Sequence, residues 1–227
     1  MRLRESAGSG PAPIFLGLSL FKPLYAILLD GGFLTKKLYA QHRRDATADD
    51  IVAECDRLRA LDLVKEYELL RIYYYDATPA AGTVPQPVTR ASYNLSTTDR
   101  YRKSQALFDT LVLKPHFALR MGEVNLSPEK WRIKPSVTKE LVKTGPRPLT
   151  DSDFLPDLKQ KGVDMRIGMD MARLCLRDMI RAVIVVTGDS DFVPAFKFVR
   201  REGVKVFLDP MGHNVRQELR QHSDVVI

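Results

Sequence analysis

The chain has 227 residues, of which 44% are hydrophobic and 28% charged, with 13 glycines and 14 prolines. These proportions exclude a collagen-like, low-complexity or wholly disordered chain, and the length fits one domain carrying an insertion. Against 28 acidic residues stand 35 basic ones, a net charge of +7 that favours a polyanionic partner without naming it. Cys55 and Cys175 are too few and too far apart for a disulfide framework or a cysteine zinc cluster, and they fit a reducing compartment.

Residues 1–22 read as a flexible leader with a Ser/Gly/Pro-rich start. The apolar run Ile14 to Phe21 is interrupted by Lys22 and Pro23 and has no small-residue cleavage site after it, so a cytoplasmic protein is expected. No stretch of about 20 apolar residues occurs, and no membrane association is expected. Tyr25 to Leu29 predicts a buried strand ended by the turn residues Asp30-Gly31-Gly32. Ala48 to Leu63 predicts a helix capped by Thr47 or Asp49, and Leu69 to Tyr75 an aromatic strand ending at Asp76. The prolines between 77 and 95 predict a loop. Thr98 to Leu113 has helical spacing, and Phe117 to Val124 reads as a strand.

From about 125 to 160 no clean period survives, and the prolines and lysines there predict an inserted loop or hairpin. Val163 to Met179 predicts a second long helix and Val183 to Val186 a strand ended by Gly188. Phe192 to Arg201 reads as a helix and Val204 to Leu208 as a strand. A short helix over Val215 to Arg220 and a last strand over Val225 to Ile227 follow. The alternation predicts an α/β fold: an open, mostly parallel sheet with helices on both faces. Right-handed crossovers then collect the strand C-terminal ends on one edge, where ligands of such sheets bind.

That edge is acidic. Asp30, Asp76 and the run Gly188-Asp189-Ser190-Asp191 each follow a strand, and Asp164 starts the second long helix. Carboxylates brought together raise one another's pKa, and a divalent cation relieves the repulsion. Oxygen ligands suit Mg²⁺ or Mn²⁺ rather than zinc, and such an ion bound to carboxylates activates water against a phosphodiester. Each acid also has a plain structural use: Asp30 in a turn, Asp189 as a helix cap, Asp164 at a helix dipole, Asp76 in an Asx-turn. Their gathering at one edge favours the site. Asp170, six residues past Asp164, lies about 120° round the helix from it, so it either lines a broad cleft or makes a structural hydrogen bond.

These residues carry a family resemblance. The runs Leu28 to Phe33, Lys161-Gly162-Val163-Asp164 followed by Asp170, and Val186 to Pro194 resemble the NYN domain, in particular the bacterial LabA-like group of the PIN-like nuclease superfamily. The resemblance spans residues from about 24 to the end. It implies a PIN-like, Rossmannoid sheet over residues 23–227, an Mg or Mn site and RNA cleavage. By position, the catalytic and metal-binding acids are Asp30, Asp164, Asp189 and Asp191, and Asp170 matches a commonly acidic position. Many relatives carry Asn two or three residues after the first Asp, where this chain has Gly32 and Phe33.

Thr187 or Ser190 could orient a phosphate or a water. The cations Lys130, Arg132, Lys134, Lys139, Lys143, Arg147, Lys159 and Lys161 surround Trp131; they either track a phosphate backbone while a base stacks, or form a solvated hairpin around a packed Trp. The expected function is therefore a metal-dependent ribonuclease whose partner is RNA, single-stranded rather than duplex. The alternative is a nucleic-acid-binding or regulatory module with a weak or inactive nuclease site. A small-molecule phosphatase is disfavoured because Asp30 is followed by Gly31-Gly32 rather than by an Asp-x-Asp pattern. No phosphate loop, dinucleotide fingerprint or nucleophile elbow is present. An exposed sheet edge or the inserted segment could support a homodimer.

Overall fold

The computed structural model describes residues 21–227. The expected leader over 1–22 therefore lies outside the described residues, apart from Phe21 and Lys22. Seven strands form the sheet, in the order β6-β5-β2-β1-β7-β8-β9. They are β1 (Leu24–Asp30), β2 (Glu68–Ala77), β5 (Phe117–Ile133), β6 (Phe154–Lys161), β7 (Ala182–Val186), β8 (Lys205–Asp209) and β9 (Val225–Val226); β3 (Thr83–Pro85) and β4 (Ser92–Asn94) pair separately as a small antiparallel hairpin. All pairs in the large sheet are parallel except β5 with β6.

The hydrophobic runs read from the sequence become the central strands because apolar side chains there are needed on both faces. Alternation splits β1: Ala26 and Leu28 enter one core, while Tyr25, Ile27 and Leu29 enter the other. The three consecutive tyrosines divide likewise, Tyr73 and Tyr75 to the first core and Tyr74 to the second. The first core is closed by α5 (Val163–Leu176), α6 (Val193–Arg201) and α7 (Gln217–Gln221). The second is closed by α1 (Gly31–His42), α2 (Ala48–Arg59) and α3 (Asp99–Leu111). On α2, Ile51, Cys55 and Leu58 form the buried stripe, and Thr47 with Asp50 forms a reciprocal cap at its start. Among the described residues no helix is long and apolar enough to cross a membrane.

Three segments differ from expectation. Gly31-Gly32 does not end the strand in a turn; α1 begins there, with Asp30 as its cap. The proline-rich stretch after β2 contains the β3–β4 hairpin. The segment 125–160 is a strand–helix–strand unit: β5 runs on to Ile133, α4 (Pro135–Thr144) follows, and β6 returns antiparallel to β5. The prolines misled because they occupy tolerated places. Pro135 opens α4, where its missing N–H costs nothing, and Pro156 sits on β6, the outermost strand.

Since β2 stops pairing at Ala77 opposite Gly122, β5 and β6 project beyond the C-terminal edge of the sheet as an arm. The arm grips the β3–β4 hairpin: Trp131 Nε1 donates to the Pro85 carbonyl at 2.8 Å, Tyr93 meets the Trp131 ring edge-on, and Asp151 accepts from the Val88 N–H at 2.8 Å.

Candidate functional site

The chain builds the sheet outward from β1 in one direction through β2, β5 and β6, then returns to the other side of β1 for β7, β8 and β9. The strand order therefore reverses between β1 and β7, the place where open α/β sheets bind ligands beyond the strand ends. Asp30 ends β1 at that point, and Thr187 to Asp191 follow β7.

Asp30 is fixed from two sides. Its carboxylate accepts from the Phe33 N–H at 3.1 Å and from the Thr187 hydroxyl at 3.2 Å. Thr187 is fully buried, and its oxygen also accepts from the Asp189 N–H at 3.2 Å, so one hydroxyl ties the two acidic segments together. Asp189 in turn accepts from the Asp191 N–H at 2.9 Å and starts the 3₁₀ turn Ser190–Phe192. Two glycines make room for this. A Cβ on Gly31 would lie 2.6 Å from the Tyr75 carbonyl and 2.7 Å from the Tyr74 ring, so only glycine lets α1 start this close to β2. A Cβ on Gly188 would lie 2.6 Å from the Phe33 ring, which packs edge-on against His213.

Burial raises the pKa of Asp30, the Phe33 and Thr187 hydrogen bonds oppose the rise, and the charges of Asp164 and Asp189 add to it. Asp164, on the first turn of α5, is also raised, by burial and then by Asp189 and Asp191. The four expected acids thus feel one another, although they come from three separate stretches of chain.

Their neighbours set them apart. Most aspartates of the protein have an Arg or Lys nitrogen within 4.0 Å. Among the described residues Asp30, Asp76, Asp164, Asp189 and Asp191 have none, and all five lie at the C-terminal edge; Asp109 and Asp151, elsewhere, take neutral hydrogen bonds instead. Asp170 belongs to the paired class. Its carboxylate accepts from Arg120 Nε and from the Tyr75 hydroxyl, each at 3.0 Å, and Arg120 also stacks over the Tyr73 ring. Of the two roles open to Asp170, the structure shows the hydrogen-bonded one.

The remaining expected residues scatter. Lys161 is exposed at the end of β6, three residues before Asp164. Ser190 is half-buried, with no side-chain hydrogen bond among the described residues. Trp131 lies opposite Pro156, five positions along β6 from Lys161, or roughly 16 Å of extended strand. Of the basic tract, Arg147 pairs with Asp153 and Glu140, Arg132 with Asp157, and Lys134 donates to the Ser152 carbonyl.

Two polar residues at the edge carry no motif. Asp209 ends β8, is buried, and pairs with Arg57; the rule that finds acids at strand ends would have found it. Gln160 Nε2 donates to Asp76 at 3.0 Å, and only the tertiary fold reveals it. Among the described residues no three His, Cys, Asp or Glu side chains converge into a ready-made cation cage.

With this geometry in place, comparison with known proteins locates one family. Residues 132–227 match the NYN domain. The NYN match takes in Asp164, Asp170, Asp189 and Asp191, while β1 and Asp30 lie before it. No curated protein matches the chain. Among solved structures, a protein of unknown function from Vibrio parahaemolyticus superposes with a TM-score of 0.50 at 15% identity, over 93% of this chain and 95% of that one. That likeness is one of fold, and it extends well beyond the NYN segment.

Proposed function

We propose that the protein is a PIN-like, LabA-type ribonuclease that hydrolyses RNA phosphodiester bonds at the β1/β7 edge with Mg²⁺ or Mn²⁺. The supporting observation is the set of mutually repelling carboxylates, without a basic partner among the described residues, at the point where the strand order reverses. The donor set fits the ion: it is all oxygen, and Mg²⁺ keeps most of its waters while touching one or two carboxylates. Asp30, Asp164, Asp189 and Asp191 would hold it, directly or through water. The bound ion would polarise the phosphate and lower the pKa of a coordinated water.

The chain's own part is positional. Thr187 holds the Asp30 carboxylate and the Asp189 backbone in fixed register, and the Asp191 N–H holds the Asp189 carboxylate, so neither acid need reorganise during the reaction. Being buried, Thr187 acts through these two acids rather than on substrate. Lys161, exposed three residues before Asp164, and Ser190, between Asp189 and Asp191 in sequence, are the side chains that would meet a phosphate oxygen.

The test is cleavage of a labelled single-stranded RNA with Mg²⁺ or Mn²⁺, against EDTA and the Asp189→Asn protein. Metal-dependent cutting lost in the variant is expected. Folded protein that binds the RNA and cuts with neither ion would replace this reading by that of a binding module with a silent site.

A further inference from the structure

Asp76, the penultimate residue of β2, lies beside the acidic set, yet its oxygens are already committed. They accept from the Ala77 N–H at 2.7 Å, the Tyr74 hydroxyl at 3.2 Å and Gln160 Nε2 at 3.0 Å. An ionised carboxylate only accepts, so Asp76 forces the Gln160 amide to turn its NH₂ inward. The amide oxygen is then left to face the other way. It lies 4.0 Å from where a Cβ on Gly32 would stand, and Asp30 Oδ1 lies 3.6 Å from the same point. The missing side chain of Gly32 thus leaves a small opening at the start of α1, walled by two acceptors from opposite elements.

Two acceptors repel phosphate oxygens and ask for a donor. In RNA the donor present at every residue, whatever the base, and absent from DNA, is the ribose 2′-hydroxyl. We infer that Gln160, oriented by Asp76, accepts a hydrogen bond from the ribose 2′-hydroxyl in the opening over Gly32 and so makes the site select RNA over DNA. This inference rests on the proposed polynucleotide substrate but not on catalysis.

It is tested by binding in EDTA, where no cutting is expected. Matched labelled oligoribonucleotide and oligodeoxyribonucleotide are titrated with the full chain, Gln160→Ala, and Gly32→Asn/Gln160→Ala. A single hydrogen bond predicts a ribose preference lowered roughly three- to tenfold in Gln160→Ala, with deoxyribo-oligomer affinity unchanged. The double variant returns a carboxamide to the same opening from α1, at a position with ordinary contacts, and is expected to recover part of the preference.

A ribose preference equal in the full chain and Gln160→Ala, or a loss of affinity equal for both oligomers, overturns the inference while leaving the ribonuclease reading intact. Selective binding that depends on Gln160, without cleavage when Mg²⁺ or Mn²⁺ is added, upholds the inference and overturns the nuclease. Binding of neither oligomer by the full chain in EDTA, with neither bound nor cut once Mg²⁺ or Mn²⁺ is added, overturns both.

Discussion

The β1/β7 edge and the β5–β6 arm treat aspartate in opposite ways. In the link that leads from α4 into the arm, the buried Asp153 accepts from both terminal guanidinium nitrogens of Arg147 and from the Thr150 N–H, and these hold its carboxyl well below the usual range. At the edge, Asp30 accepts hydrogen bonds too, yet its pKa rises, because desolvation and two further carboxylates outweigh them, with no Arg or Lys nitrogen within 4.0 Å among the described residues. Asp209 stands between the two cases: it ends a strand of the same edge, but Arg57 reaches it from α2. Burial still raises Asp209, so a partner does not abolish the cost of desolvation; it decides whether the charge is balanced within the fold or left for something outside. Unbalanced acids are a standing cost to stability, a usual mark of a working site.

The sharpest way to break this comparison is Asp30→Asn. Asparagine caps a helix as well as aspartate does, so α1 should survive. Cleavage should fall by about 100-fold or more, while the melting temperature at neutral pH rises, since a half-buried, repelled charge is gone. A lower melting temperature would show that the edge acids are structural. The paired class should respond the other way. Arg57→Ala leaves the buried Asp209 carboxylate unbalanced, and urea unfolding should show a loss of about 2 kcal/mol, below the usual figure for a buried pair because Arg57 is 44% exposed.

Smaller effects refine the picture. Because Asp30 and Asp164 are raised in the folded state, it binds protons more tightly than the unfolded chain. Their contribution to stability is full below the ordinary aspartate value of about 3.9 and is lost as pH rises through the folded value. Thermal melts across that window should fall for the wild type and flatten in Asp30→Asn, and millimolar Mg²⁺ at neutral pH should recover stability in the wild type alone. Cleavage should disappear as pH falls through the same raised values. The least effect is expected from Trp131→Phe, which removes the hydrogen bond to Pro85: about 1 kcal/mol, with little change in cleavage of a short RNA, since Trp131 lies far along the arm from Lys161.

The continuous apolar runs at Tyr25–Leu29 and Val183–Val186 read as central parallel strands, and the sequence alone therefore determined the α/β class and the gathering of Asp30, Asp76, Asp164, Asp189 and Asp191 at one sheet edge. The arm was hidden because Pro135 and Pro156 read as breakers when a helix start and an edge strand accept them. Helix α1 was hidden because Gly31-Gly32 has the composition of a turn, while the need for glycine came from Tyr74 and Tyr75 on the neighbouring strand. Which acids have partners was decided by tertiary structure alone: Arg120 reaches Asp170 across 50 residues and Arg57 reaches Asp209 across 152, whereas no arginine or lysine among the described residues comes within 4.0 Å of Asp30. Charge pairing depends on a few ångströms between side chains far apart in the chain, and residue spacing along the sequence carries no record of that distance.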